Sequence, residues 1–464
     1  SANNVAIGRE ALKTSNGGSG NTAVGRTALA ATTTGDDNVG VGLNALLANT
    51  TGTLNVAVGM NAVDANTTGD KNTGIGQGAL STNTTADNNT AVGFGALNLN
   101  TTGDTNTAVG KDSMKTNTTG TNNGAFGTRT LQLNTTGSSN VAVGDLALGA
   151  NTTGGANVAV GSGALDANTT ASNNTGVGFN ALTANTTGAS NTSVGKSSSR
   201  SNTTGTQNSA FGFFAYASGT TGGQNVAVGF AALDANTTAS DNTAVGASAL
   251  TANTTGNQNT FVGALSGAAL TEGPANTALG FESLTADTKG QNSVAIGHHA
   301  LSTQNFTSAT NTYNVAVGSQ AGLSVTTGVQ NALIGGLAGD ALTTGGANVA
   351  VGYLALSTED ANSFNTAVGF KALLTQNASG NAYNTAVGAN AGQLITTGVR
   401  NTYIGGLAGD AATTANDNVG VGYAALSAAG SGTQNTAVGT AALNVNTNGD
   451  NNTAVGRNAL LANT

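Results

Sequence analysis

Apolar and polar residues alternate in short stretches along this chain. The alternation returns at every 17th position in the frame Asn-Thr-Ala-Val-Gly-x-x-Ala-Leu-x-x-Asn-Thr-Thr-Gly-x-x. Numbered from 0 at the first Asn, position 1 is usually Thr or Val, position 2 Ala, position 3 Val, Ile, Leu or Phe, position 4 Gly and position 8 Leu. Period-two alternation predicts a strand with positions 1 and 3 on one face and positions 2 and 4 on the other. The position-3 residues Val58, Ile75, Val92, Phe126, Phe211 and Ile296 are the expected inward column. Position 8 supplies a second apolar column: Leu46, Leu80, Leu97, Leu131, Leu148 and Leu165. Asn-Thr-Thr-Gly, as at Asn66–Gly69 and Asn151–Gly154, has turn chemistry, because Gly accepts positive φ and Asn caps nearby backbone. One repeat is thus expected to hold two short strands and two turns.

The position-4 glycine marks the period without a break from Gly8 to Gly297, resumes from Gly318 to Gly369, and again from Gly388 to Gly456. That makes 27 copies, and the step is longer only from Gly297 to Gly318 and from Gly369 to Gly388. A period this short and regular predicts a solenoid in which each repeat is one coil stacked on the last. The expected fold is therefore all-β: a parallel β-solenoid of about 27 coils, roughly 130 Å long at ~4.8 Å per coil. It runs as one continuous solenoid over residues 1–464, with regular coils over 1–297. Residues 298–464 carry the two insertions and a 70-residue super-repeat, since Gly318, Gly335, Gly352 and Gly369 recur at Gly388, Gly405, Gly422 and Gly439.

Comparison among the repeats places three positions around one space. Position 8 is Gly at Gly267, Gly322, Gly339, Gly392 and Gly409, and in those repeats position 11, ordinarily Asn, becomes Leu270, Val325, Leu342, Ile395 and Ala412. Three of the five also have a bulky position 2: Phe261, Leu333 and Tyr403. Lost volume at one position is offset at another, as close packing demands. Two apolar columns per coil are still a thin core against the backbone entropy of a whole repeat. That predicts a second buried face shared with other chains, and the smooth Ala and Gly of positions 2 and 4 suit close approach.

Composition narrows the function classes. Charged residues are 7% of the chain, the formal net charge is −8, and the 13 basic residues are scattered. No basic stripe tracks a phosphate backbone, so nucleic acid is not an expected partner. Without cysteine there is no disulfide framework, thiolate nucleophile or cysteine metal site. No apolar run reaches membrane-helix length, and the first residues do not read as a signal peptide. The chain opens and stops inside a repeat, which is expected of a length taken from a longer fibre.

Asn292-Ser-Val-Ala-Ile-Gly297 resembles the head-repeat motif of trimeric autotransporter adhesins, and the other 26 copies are variants of it. The usual repeat of those heads is shorter. The longer form, with Asn-Thr-Ala-Val-Gly-x-x-Ala-Leu and Asn-Thr-Thr-Gly, is similar to fibre regions of phage tail-fibre-like and bacterial surface proteins. The resemblance implies a left-handed β-roll, three chains side by side, and attachment to host matrix or other surfaces.

Candidate chemistry is sparse. No Gly-x-x-x-x-Gly-Lys-Ser/Thr occurs, and the only histidines, His298 and His299, are adjacent in the strand-to-turn corner and point to opposite faces. No catalytic constellation stands out, so no enzyme activity, cofactor or metal is expected. The Asn-Thr-Thr sequons are explained by a turn ladder. The insertions are the candidate binding loops: Gln304, Asn305, Phe306 and Thr307 within Gln304–Thr310, and Gln376 and Asn377 within Gln376–Gly380. The expected function is a segment of a homotrimeric extracellular fibre, cell-surface or virion, that attaches to or displays toward glycans, matrix or another polymer. An ice-binding solenoid and a purely structural filament are the alternatives.

Overall fold

A computed structural model describes residues 3–463. The chain is an all-β parallel solenoid of about 27 turns, with no helix among the described residues. It divides into two compact units, Ser1–Asn225 and Val226–Thr464. Within each unit, one three-residue strand per repeat pairs in parallel with its counterpart in the next coil. Thr90, Ala91 and Val92, for example, face Thr107, Ala108 and Val109. The expected second strand is absent. Positions 6 to 10 form a tight turn instead, because positions 6 and 8 take positive φ, as Asp112 (52°) and Met114 (48°) do. That bend does not interrupt the stacking: Leu97 N–H donates to Ser113 O of the next coil at 2.9 Å, and Asp112 N–H to Phe94 O of the preceding one at 2.9 Å.

The strand faces the opposite way from expectation. Its middle residue, position 2, is fully buried, as at Ala91, Ala108 and Ala125. The expected inward column at position 3 points outward: Val58 is 37% exposed, Ile75 40%, Phe126 44% and Phe211 41%, and Val92 and Ile296 are half-buried. The reason is volume. Opposite the strand lie the position-8 side chains, with Leu80, Leu97 and Leu165 at 0% exposure. At Gly74, which holds position 2, an added Cβ would lie 2.5 Å from Val63 Cγ2, and at Gly176 it would lie 3.3 Å from Leu165 Cγ. So short a coil leaves room for Ala beside Leu but not for Val beside Leu.

Positions 2, 8 and 11 do line one space. A Cβ at Gly267 would fall 2.3 Å from Phe261 Cε1, one at Gly409 2.4 Å from Tyr403 Cε1, and one at Gly339 2.8 Å from both Leu333 Cδ2 and Leu342 Cδ1. The converse exchange also occurs: Tyr216 fills position 8, Gly219 takes position 11, and a Cβ there would lie 2.2 Å from Tyr216 Cζ. The Tyr216 hydroxyl donates to Gly222 O at 2.9 Å, so the large ring leaves no polar atom stranded.

The core is thicker than two columns. Asn at positions 0 and 11 is buried in the regular coils after the first, as at Asn55, Asn66, Asn72 and Asn83. Asn55 Nδ2 donates to Gly69 O at 2.8 Å and Asn66 Nδ2 to the same oxygen at 2.9 Å. Along each column the amides also join coil to coil, Asn72 N–H to Asn55 Oδ1 at 2.9 Å and Asn66 Nδ2 to Asn49 Oδ1 at 2.8 Å. Asn66, the sequon asparagine, is fully buried with its amide nitrogen engaged, leaving no room for a glycan in the folded coil. The position-4 glycines belong to this stacking and are not a smooth outer face. Gly93 has φ +135°, and a Cβ on it would meet Gly110 O at 2.6 Å.

Leu165→Asp places a charge in the fully buried column and is expected to destabilise its unit by several kcal/mol. Thr152→Ala removes one half-buried hydroxyl donating to Thr169 O at 3.0 Å and should cost about 1 kcal/mol. Denaturant melts of the two variants check this; equal losses would place position 8 outside the core.

Candidate functional site: the outward strand face and the two inserted loops

Because position 2 turns inward, positions 1 and 3 form the outer surface of the strand ladder. Every position-3 residue is Val, Ile, Leu or Phe, and no residue at position 1 or 3 is charged. Each unit therefore carries an uninterrupted apolar column at position 3 beside a mixed Thr and Val column at position 1. Position 5 borders it with intermittent exposed aromatics: Phe94 at 52%, Phe179 at 52%, Phe281 at 44%, Phe370 at 47% and Tyr423 at 59%. Tyr353 and Phe370 stack with centroids 6.0 Å apart, and Lys371 Nζ lies 5.1 Å from the Phe370 ring. Position 5 is not among the sequence-predicted sites, because its residues vary. The signal was there: the residue after the period-marking Gly is aromatic in eight coils, a type otherwise rare in a chain that is 4% aromatic.

The two threonines of each Thr-Thr pair, which lie in a bend, face different ways. Position-12 hydroxyls are half-buried and donate to the next coil, Thr50 to Thr67 O at 2.9 Å and Thr67 to Thr84 O at 3.0 Å. Position 13 stays exposed, as at Thr51, Thr68 and Thr102.

The inserted loops are built on the core. Gln304 and Gln376 both occupy position 11 and are fully buried. Gln304 Nε2 donates to Asp287 Oδ2 at 2.7 Å and to Ser293 Oγ at 2.9 Å, and Gln304 Oε1 accepts from Asn314 Nδ2 at 2.9 Å. Ser293 stands where the column otherwise has Asn, and the longer Gln spans the gap. Gln376 Oε1 accepts from Asn384 Nδ2 at 2.6 Å in the same way. Phe306 is 7% exposed and tucks under its loop. Asn305, Thr307 and Asn377 are the exposed members of the six candidates, so only these three present themselves to a partner. The first loop adds a parallel pair, Gly290–Gln291 with Thr310–Asn311. At the second, Phe364 and Tyr383 stack with centroids 5.1 Å apart and rings 3° from parallel.

Beneath the second loop lies Glu359, fully buried at position 11. Asn362 donates to it twice, N–H to Oε1 at 3.0 Å and Nδ2 to Oε2 at 2.9 Å, and Asn362 Oδ1 accepts Gly380 N–H at 3.0 Å. Burial pushes the Glu359 carboxyl up to about 7 despite those bonds. His298 and His299 sit edge to face at 4.0 Å, with His299 Nδ1 3.3 Å from Glu282 Oε2. No group of three or more His, Cys, Asp or Glu side chains is arranged to hold a metal, and no helix is long and apolar enough to cross a membrane, among the described residues.

Glu359 makes stability depend on pH. Its folded value lies above the ordinary 4.5, so between pH 4.5 and about 7 the folded state holds the proton that the unfolded state releases. The contribution is full below that window and falls as pH rises through it. Melts at pH 5 and pH 8 should show a loss at the higher pH that Glu359→Gln removes; the same pH response in both proteins refutes it.

No protein-family model matches the chain, and no curated protein matches it.

Proposed function

We propose that the chain is a segment of an extracellular fibre, on a cell surface or a virion. Three copies lie side by side as left-handed coils, and the fibre attaches to or displays toward glycans, matrix or another polymer. The observation that carries this reading is the outward apolar column at position 3, which includes Val58, Ile75, Phe126 and Phe211 and has no charged neighbour at position 1. Soluble monomers rarely expose a contiguous apolar patch beyond a few hundred Å², and a repeating ribbon is matched in register by another copy of itself. A thin core is not the support, since the coils bury Asn and Ala columns beside their large apolar side chains. Three copies and the surface-attachment role come from the resemblance to adhesin heads and tail-fibre repeats. Near-identical coils present columns of like groups, which suits many weak contacts in parallel.

A second reading draws on the same face. Thr or Val at position 1, with Val at position 3, at regular coil spacing, is a surface able to order water, and the exposed position-13 threonines add another column. Light scattering on the intact chain separates the two readings. The expected mass is three times 44.5 kDa. Paired Val92→Lys and Val109→Lys on the outward face should lower it while leaving the circular dichroism spectrum unchanged. A wild-type chain that is a folded monomer overturns the fibre proposal, and thermal hysteresis in ice growth from that monomer establishes the alternative.

A further inference from the structure

Position 6 ordinarily carries a side chain, but in two successive coils it is glycine: Gly78 and Gly95. The ladder on either side resumes with Asn61 and Asp112. The missing side chains open a recess of about 300 Å³ in the first unit. That volume is at the lower end of ordinary small-ligand sites. Position-9 residues form its floor: Asp64, Ser81, Asn98 and Lys115. Position 5 supplies a wall, the Phe94 ring, 52% exposed.

The polar groups are arranged for a ligand that both donates and accepts. Asp64 Oδ1 is buried with no hydrogen-bond partner. At the far end, Lys115 Nζ sits 3.2 Å from Asp112 Oδ1. Between them, Asn98 is held by donation from Nδ2 to Gly78 O at 2.9 Å and to Ser81 Oγ at 2.7 Å, which fixes its carboxamide in the floor.

We propose that this recess binds one pyranose residue of a polysaccharide. A pyranose has an apolar C–H face, which suits the exposed Phe94 ring, and a rim of hydroxyls that donate and accept. One hydroxyl donates to the Asp64 carboxylate, and others meet the Asn98 amide and the Asp112–Lys115 pair. A simple organic cation fits the aromatic ring and Asp64 but not Lys115, whose ammonium repels it. The proposal extends the display reading by naming a ligand class and does not depend on the number of chains.

Calorimetric titration of the intact protein with methyl glycosides of glucose, galactose, mannose and N-acetylglucosamine tests it, with tetramethylammonium as the cation probe. Saturable binding of at least one glycoside is expected. Gly78→Asn with Gly95→Asn should abolish it by filling the recess. Asn already occupies position 6 at Asn44, Asn61 and Asn180 with φ of 58°, 55° and 54°, so the filled coil has precedents in the chain. Asp64→Ala, with Ala30 and Ala217 as precedents at position 9, should weaken binding about tenfold or more. Overturning results are no saturable binding by any of the four glycosides, undiminished binding in the filled variant, or binding of tetramethylammonium alone. Light scattering on the same samples reports assembly separately, so a failure of the sugar site is not confused with a failure of the fibre reading.

Discussion

Two buried asparagine amides meeting on one carbonyl oxygen hold in shape the coils that have Asn at both position 0 and position 11. Asn55 and Asn66 both donate to Gly69 O, one from the foot of the strand and the other from the turn before that glycine. The convergence closes the coil across its interior, and the remaining amide atoms join it to its neighbours. An amide column is expensive to bury unless its donors and acceptors are matched, and stacking identical coils matches most of them, with exceptions such as Asn89 Nδ2 and Asn365 Nδ2. Asn at positions 0 and 11 therefore recurs for the same reason that the period does.

A second constraint follows from the narrowness of the coil. Its interior offers one limited volume per turn, which side chains at positions 8, 2 and 11 divide among them. Leu165 with Ala159, Phe261 with Gly267, and Tyr216 with Gly219 are three solutions to one volume. Gln304, Gln376 and Glu359 show how position 11 absorbs irregularity: a longer side chain reaches the partners that Asn can no longer touch once residues are added or replaced nearby.

Much of this was legible in the sequence. The period, the parallel stacking and the volume exchange among positions 2, 8 and 11 follow from residue spacing alone. Which strand face turns inward did not follow from hydrophobicity, because Ala lines one face and Val the other, and Val is the more apolar choice. The exchange itself held the answer. If Phe261 at position 2 shares a space with Gly267 at position 8, then Val262 at position 3 must point away. The paired amides were not legible, since Asn-Thr-Thr-Gly reads as a surface turn until the opposite Asn is known to be near. The recess at Gly78 and Gly95 was hidden because glycines in a glycine-rich chain draw no notice, and only their column reveals what is missing.

The asparagine columns carry the most weight in this fold, and Asn140 is a clean place to test them. Its Nδ2 donates to Gly154 O at 2.9 Å, and its Oδ1 accepts Asn157 N–H at 3.0 Å. Hydrogen exchange on Asn140→Ala should show lost protection at Asn157 and the adjoining coils, with about 1–3 kcal/mol lost from the unit's stability as the buried Asn157 N–H is left unmatched, while Gly154 O keeps the Asn151 amide. Unchanged protection there would contradict the claim that these amides hold the coils together.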